Sequence, residues 1–455
     1  MLSFPQDLLE RYEAQAPNYI SYPGLDQFKT GFGPRHYAQA LEHRRQSVLR
    51  RLKPLSVYVH LPFCENLCLF CNRNKIVTKR YSKSVAYLEL IDQELKLQIE
   101  HLGEKPNVSQ LHLTGGSPTY LHDSELERLV TILQSQMTFT PSVDMSLDID
   151  PRTINFDSLV TLHQLGFTRL NFCVQDCDIS VQRAVHRLQD LDAIKTLVGH
   201  SRVLGFKCCS LELLYGLPKQ TQQSFEATLA CVIDIAADRV TLCAYRHQPE
   251  RYPSQRQIKE QDLPSSDVVL QFFNMAHTSL IRAGYEYIGL DLFSKKSDPL
   301  HVAKMRGSLH RNFLGFSAQP NTDLMALGMS GVGSIGTTYS QNATTLEEYR
   351  LFLDRKQLPV VKGLALGRDD LARKSIIMGL MCQGHVSFDA IEEAYLINFQ
   401  TYFGHEMQQL KHLEAQGLLQ LTIKSLDVTE LGHVLVRTIA SVFDRYWTPA
   451  QTPSF

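Results

Sequence analysis

Neither sign of charge is in surplus in this chain of 455 residues, where 46 Lys and Arg stand against 47 Asp and Glu. A basic nucleic-acid coat and a disordered polyelectrolyte are thereby excluded. Long apolar runs are missing too, and none approaches the roughly 18–20 residues that span a bilayer. The opening MLSFPQDLLERYEAQ carries acids early and has no apolar core of a secretory signal. Internal repeats and low-complexity tracts are also absent. What remains, 44% hydrophobic and 20% charged residues, is an ordinary globular mix. At roughly 150 residues per domain the length predicts two or three domains, with a core large enough to need no disulfides. The expectation is a cytoplasmic protein with neither a membrane nor a nucleic acid as partner.

Cysteine is the residue type whose placement stands out. Of ten, Cys64, Cys68 and Cys71 fall within eight residues, spaced C-x3-C-x2-C. Most of the others lie in apolar segments, where cysteine behaves as a small hydrophobe. Such a cluster in a long chain without a signal points to a metal site in a reducing compartment rather than to disulfides. Thiolate is the soft ligand that iron–sulfur clusters take. Three thiolates at this spacing can hold three irons of a four-iron cube and leave the fourth open to a small molecule. A structural zinc site would need a fourth ligand, with His60 and His112 as candidates, and would be closed. Chance clustering in a core fits poorly with Glu65 and Asn66 between the cysteines.

A polar leader, 1–48, precedes a rhythm of short apolar runs and longer amphipathic stretches. The runs Ser56–Leu61, Gln110–Leu113, Met145–Asp148, Arg169–Phe172, Cys209–Leu214 and Arg239–Ala244 read as strands. Ser84–His101, Asp123–Gln136, Asp157–Leu165, Leu191–Gly205 and Gln223–Ala236 read as the helices between them. Alternation of this kind implies parallel pairing through right-handed crossovers. The fold class is therefore α/β: a partial (βα)6 barrel over 49–290, with an open doubly wound sheet as the runner-up. The polar stretch Glu250–Pro264 reads as a loop or linker. Residues 292–323 show little periodicity, so 291–365 is expected to be an irregular segment packed on the barrel. In 366–455, Asp369–Met381 and Asn398–Gln416 read as helices, Leu418–Val428 as a hairpin and Thr429–Tyr446 as a final helix. That is a small helical, winged-helix-like domain.

In β/α barrels the chemistry gathers at the C-terminal ends of the strands. The first strand leads into the cysteines. The second leads into Thr114-Gly115-Gly116-Ser117, where adjacent glycines let backbone approach a ligand, although such turns are common. The third ends in Asp148-Ile149-Asp150, acids that can accept from ribose hydroxyls or an amine, or that can cap a helix. The fourth leads to Gln175-Asp176, with Arg187 beyond. The fifth carries Glu212 in an otherwise apolar run, and a buried acid is costly unless paired. The sixth leads to Tyr245-Arg246-His247.

These residues resemble a known family. C-x3-C-x2-C after the first strand and GG-x-P after the second are similar to the radical S-adenosylmethionine enzymes. Six further segments resemble, within that group, the oxygen-independent coproporphyrinogen III oxidases. They are His60-Leu61-Pro62-Phe63-Cys64, Asn74-Lys75, Gly115 to Leu121, Val174-Gln175-Asp176, Tyr215-Gly216-Leu217-Pro218-Lys219-Gln220-Thr221 and Leu309-His310-Arg311-Asn312-Phe313. Tyr22-Pro23 and Asp323-Leu324 also fit. The resemblance implies that Cys64, Cys68 and Cys71 ligate a 4Fe-4S cluster. It implies two molecules of S-adenosylmethionine, lined by Tyr58, Phe70, Gly115, Gly116, Ser117, Asp148, Gln175, Arg187, Glu212, Arg246 and Val332. The activity implied is oxidative decarboxylation of two propionates of coproporphyrinogen III to vinyl groups, giving protoporphyrinogen IX in anaerobic haem biosynthesis. The implied partners are a tetrapyrrole substrate and a reductase or flavodoxin-type electron donor, and the implied state is a monomer.

The chain departs from the family pattern at six positions. Arg73 stands where a fourth cysteine is usual, Thr114 for a glycine, Asp148 for a glutamate, Glu212 for an aspartate, Arg246 for a small residue and Leu292 for a histidine. The cluster ligands are intact, so radical chemistry is expected. The changes fall around the second cofactor molecule and the substrate. The alternatives are a paralogue acting on haem or another tetrapyrrole, and a haem-binding or trafficking protein without decarboxylase activity.

Overall fold

In the computed structural model, residues 17, 19–319 and 322–447 are described. The opening segment read as free of a secretory signal lies outside them. The chain divides into two compact units. One comprises Phe28–Pro264 and Thr322–Ala365, the other Met1–Gln27, Ser265–Asn321 and Leu366–Phe455.

The first unit is built on six strands: β1 (Leu55–Leu61), β2 (Asn107–Gly115), β3 (Thr138–Ile149), β4 (Arg169–Gln175), β5 (Cys208–Tyr215) and β6 (Arg239–Ala244). Each pairs in parallel with the next in chain order. The helices α1 (Ser82–Leu102), α2 (Asp123–Gln136), α3 (Phe156–Gln164), α4 (Leu191–Leu204) and α5 (Gln222–Ile235) make the crossovers. The order never reverses within β1–β6, as a doubly wound sheet must at its switch point, so the array is the partial (βα)6 barrel.

Local chemistry sets these boundaries. Residues of β1 are buried on both faces, as parallel strands covered by helices require. Asn155, Asp190 and Thr221 each accept a backbone N–H at the start of α3, α4 and α5. Gly205, at φ 94°, ends α4 in the left-handed region that glycine adopts freely.

The expectation for 291–365 is corrected. Residues from 322 onward belong with the barrel, because β7 (Leu324–Leu327) pairs in parallel with β1, Val57 opposite Met325. Three antiparallel strands continue the sheet: β8 (Val332–Ile335), β9 (Thr338–Asn342) and β10 (Val360–Ala365). Glu94 of α1 ties this extension down. Fully buried, it accepts hydrogen bonds from Gly328 N (2.7 Å), Asn342 Nδ2 (2.7 Å), Gln98 Nε2 (3.0 Å) and the Tyr349 hydroxyl. Burial pushes its carboxyl up to about 7, only partly offset by these donors.

The segment Glu250–Pro264, read as a loop or linker, is an ordered loop. It folds into two 3-10 turns, Pro253–Gln257 and Glu260–Asp262, with Gln255 and Ile258 buried. Proline at the start of the first turn presets its backbone.

In the second unit, residues 292–319 are regular rather than irregular. A hairpin (Tyr285–Gly289 with Leu292–Lys295), a helix (Pro299–Met305) and a second hairpin (His310–Asn312 with Gly315–Ser317) fill them. Strands of three to five residues leave too little alternation to read. The C-terminal part has the expected helical, winged-helix-like form, with a three-stranded sheet that adds His385–Ser387 to the hairpin. Two expected long helices are broken. Asn398–Gln416 divides at Phe403, which packs against Phe399 (4.9 Å between rings) and Phe443 (5.5 Å). The final helix divides at fully buried Leu435. Among the described residues no helix is long and apolar enough to cross a membrane.

Candidate active site

The three cysteines sit on the loop that leaves β1. Phe63–Cys64 pairs with Ile76–Val77, so the loop closes on itself. Its backbone is held from several directions. Leu69 N–H donates to Val185 O (3.0 Å), Lys75 Nζ and Ser254 Oγ donate to Cys71 O (3.3 and 3.0 Å), and Gln255 Nε2 donates to Phe70 O (3.0 Å). The Phe70 ring packs on Val181, Val185 and Leu217. Ser254 and Gln255 come from the stretch read as a loop or linker, where Pro253 was a signal of an ordered turn.

Two guanidiniums face the Cys68 sulfur, Arg187 Nη1 at 3.5 Å and Arg152 Nη2 at 3.8 Å. Both also bind Asp150: Arg187 through Nη1 and Nη2 at 3.3 Å each, Arg152 through Nε at 2.9 Å and Nη2 at 2.6 Å. Arg187 is buried and reaches Cys173 O as well (2.6 Å). A sulfur carrying negative charge suits this setting. Burial, then the neighbouring Cys71 and Cys68, push Cys64 up to about 12, so a metal must displace its proton.

The zinc reading loses its fourth ligand. His60 Nε2 faces Asn74 O (3.1 Å), which can only accept, so Nδ1 accepts from the Tyr58 hydroxyl (2.7 Å). Burial lowers His60 to about 4 and keeps the ring neutral. His112 is committed to Ser146 Oγ (2.9 Å) and lies 3.8 Å from Asp148. Among the described residues no three His, Cys, Asp or Glu side chains gather around one ion position. Thiolates that each serve a separate iron need not do so.

On the neighbouring strand end, Gly115 has φ 120°, and a Cβ there would stand 2.8 Å from His60 Nδ1. At Gly116 it would stand 2.5 Å from Phe63 O. Gly116 N–H donates to Leu61 O and Ser117 N–H to Phe63 O, stitching this turn to the cysteine loop. Ser117 starts a hydroxyl chain through Thr119 (3.1 Å) to Thr153 (2.7 Å).

A second polar group joins three strand ends. Arg73 Nη1 donates to Thr114 Oγ1 (2.8 Å) and Asp148 Oδ2 (2.7 Å), and Nη2 lies 3.5 Å from Glu212 Oε2. Thr114 also donates to Asp148, and Asn171 Nδ2 donates to its other oxygen (3.0 Å). Burial alone would raise Asp148, but Arg73, His112 and Thr114 outweigh it and bring the carboxyl down to about 2. Glu212 accepts from Gln175 Nε2 (2.9 Å), which answers why an acid stands in an apolar strand.

Gln175 itself has φ 69°, rare for a residue with a Cβ, and is buried. Its Oε1 and Arg187 Nε are buried without a hydrogen-bond partner, which fits a polar ligand. Next to it, Asp176 is scaffolding. It accepts from Gln220 Nε2 (2.6 Å), whose Oε1 in turn accepts from Gly216 and Leu217 N–H (2.7 and 3.0 Å). The Tyr215–Thr221 segment is thereby locked to the end of β4. Val332 is buried at the start of β8, and Arg246 lies exposed two residues past β6; neither joins the groups above.

The residues present fit a three-thiolate cluster with a polar ligand beside it. Residues 58–232 match the radical SAM superfamily and residues 366–435 the HemN C-terminal domain. Fold and site thus define a radical SAM protein. The chain is 39% identical over 442 residues to the oxygen-independent coproporphyrinogen III oxidase of Pseudomonas aeruginosa, covering 97% of this chain and 95% of that one. It is 38% identical to that of Escherichia coli K12, covering 96% and 94%. The solved structure of the Escherichia coli coproporphyrinogen III oxidase, described as a radical SAM enzyme, superposes with a TM-score of 0.92 at 36% identity, covering 98% of this chain and 100% of that one. The chain belongs to the oxygen-independent coproporphyrinogen III oxidase family. These relatives share one activity name, which does not favour the haem-paralogue and haem-trafficking alternatives.

Proposed function

We propose that the chain oxidatively decarboxylates two propionates of coproporphyrinogen III to vinyl groups, giving protoporphyrinogen IX. One observation carries this reading. The cysteine loop and the glycine turn lie on adjacent parallel strand ends, in a chain 39% identical over nearly its full length to an enzyme of that name. Cys64, Cys68 and Cys71 hold the 4Fe-4S cluster. When bound, cluster and S-adenosylmethionine together supply a hydrogen-abstracting carbon radical at the cost of one electron.

The chain's own residues do the rest. Gly115 and Gly116 admit close backbone approach. Gln175 Oε1 and Arg187 Nε offer an acceptor and a donor that nothing else uses. Tyr58, Phe70 and Ser117 line the cofactor, and the buried strand ends keep water away from a radical. Ten cysteines with no disulfide among them fit a reducing cytoplasm, a reductase or flavodoxin-type electron donor supplies the electron, and the protein acts as a monomer.

The test is an anaerobic assay with reductant, S-adenosylmethionine and coproporphyrinogen III. Protoporphyrinogen IX with matching 5′-deoxyadenosine is expected. 5′-Deoxyadenosine without a vinyl product would contradict the substrate assignment.

A further inference from the structure

We infer that Arg73 is a specificity-determining residue: by occupying Asp148 and Glu212 it leaves room for one S-adenosylmethionine molecule per chain rather than two. The inference rests on the cofactor reading above and goes beyond it.

S-Adenosylmethionine carries a positive sulfonium, an ammonium and ribose hydroxyls, and so needs acceptors. The expectation of two molecules counts Asp148 and Glu212 among them. Both acids are already engaged by the chain's own donors. One Asp148 oxygen takes Arg73 Nη1 at 2.7 Å and the Thr114 hydroxyl, and the other takes Asn171 Nδ2 at 3.0 Å. A carboxylate oxygen has two lone-pair sites, so the first oxygen is filled and the second keeps one. Glu212 divides its oxygens between Gln175 Nε2 at 2.9 Å and Arg73 Nη2 at 3.5 Å.

The arrangement is built in. Arg73, Thr114, Asp148 and Glu212 come from the cysteine loop and the strands β2, β3 and β5, yet form one connected group. Its guanidinium stands between the two acids, so a second sulfonium drawn to those carboxylates would meet a fixed positive charge, and like charges at close range repel. The unpartnered acceptor and donor at Gln175 and Arg187, with the glycine turn, make provision for one polar ligand.

The test counts S-adenosylmethionine bound at saturation, by anaerobic equilibrium dialysis, to cluster-loaded full-length protein and to its Arg73→Ala and Arg73→Gln variants. One equivalent is expected for the wild type, and close to two for a variant that retains its cluster absorption. Two equivalents on the wild type would overturn the inference while leaving the cofactor reading intact. One equivalent on both the wild type and a cluster-retaining variant, with unchanged affinity, would also overturn it. If neither variant keeps the cluster, the wild-type count decides. Zero equivalents on cluster-loaded wild type would overturn the cofactor reading and this inference with it.

Discussion

Two buried carboxylates in the barrel unit, Glu94 and Asp148, each accept several hydrogen bonds, yet they sit at opposite ends of the titration range. Glu94, on the scaffold, is pushed up to about 7; Asp148, at the site, is brought down to about 2. Burial works against charge at both. The difference is a cation: Arg73 stands 2.7 Å from Asp148, whereas the donors to Glu94 are neutral. Neutral donors suffice to satisfy a buried acid, but a guanidinium is needed to keep it ionised. Scaffold and site therefore use the same residue class for different ends. Glu94 fastens α1 to the strands that flank β1, and Asp148 holds fixed charge where a charged cofactor is handled.

Four changes would break or sharpen this contrast. Glu94→Ala strands the Gly328 N–H, the Tyr349 hydroxyl and the Asn342 and Gln98 amides, and should destabilise the protein by about 4 kcal/mol in anaerobic urea unfolding. Glu94→Gln should cost less and should flatten a pH slope. The folded state holds the Glu94 proton more tightly than the ordinary value of 4.5. That stability is full below pH 4.5 and lost as pH rises to about 7, on the order of 3 kcal/mol in all. Asp148 has the opposite sign: its contribution is full above pH 3.8 and lost as pH falls toward 2.

Arg73→Gln should cost about 2 kcal/mol near neutral pH, less than a fully buried pair because the Arg73 side chain is 36% exposed. Asp148 in that variant should titrate above its wild-type value, which carbonyl-carbon NMR of labelled apoprotein would show. Thr114→Val removes one hydroxyl donor from Asp148 and should cost about 1 kcal/mol.

The barrel was legible because short apolar runs within β1–β6 alternate with the amphipathic helices α1–α5, of which α3, α4 and α5 begin on side-chain caps. Strands β7 to β10 were not. Leu324 to Ile335 reads LMALGMSGVGSI, and its glycines and four-residue strands look like a loop until β1 supplies the parallel edge. The cysteines were legible because their ligand spacing is local. Arg73 stood out only as a missing cysteine; its partners lie 41, 75 and 139 positions away, and only the folded strand ends bring them together. Glu212 was flagged by its surroundings but could not name its partners. Arg187, as a lone arginine, gave no sign of burial against a cysteine sulfur.

The claim on which the rest depends is that Cys64, Cys68 and Cys71 hold iron with one coordination position open. The most direct measurement is metal and sulfide content, with the absorption spectrum, of anaerobically reconstituted wild type and Cys68→Ala protein. The predicted result is close to four irons and four sulfides per wild-type chain, with the cluster absorption lost in the variant. Zinc in place of iron, or a spectrum unchanged by Cys68→Ala, would contradict the account.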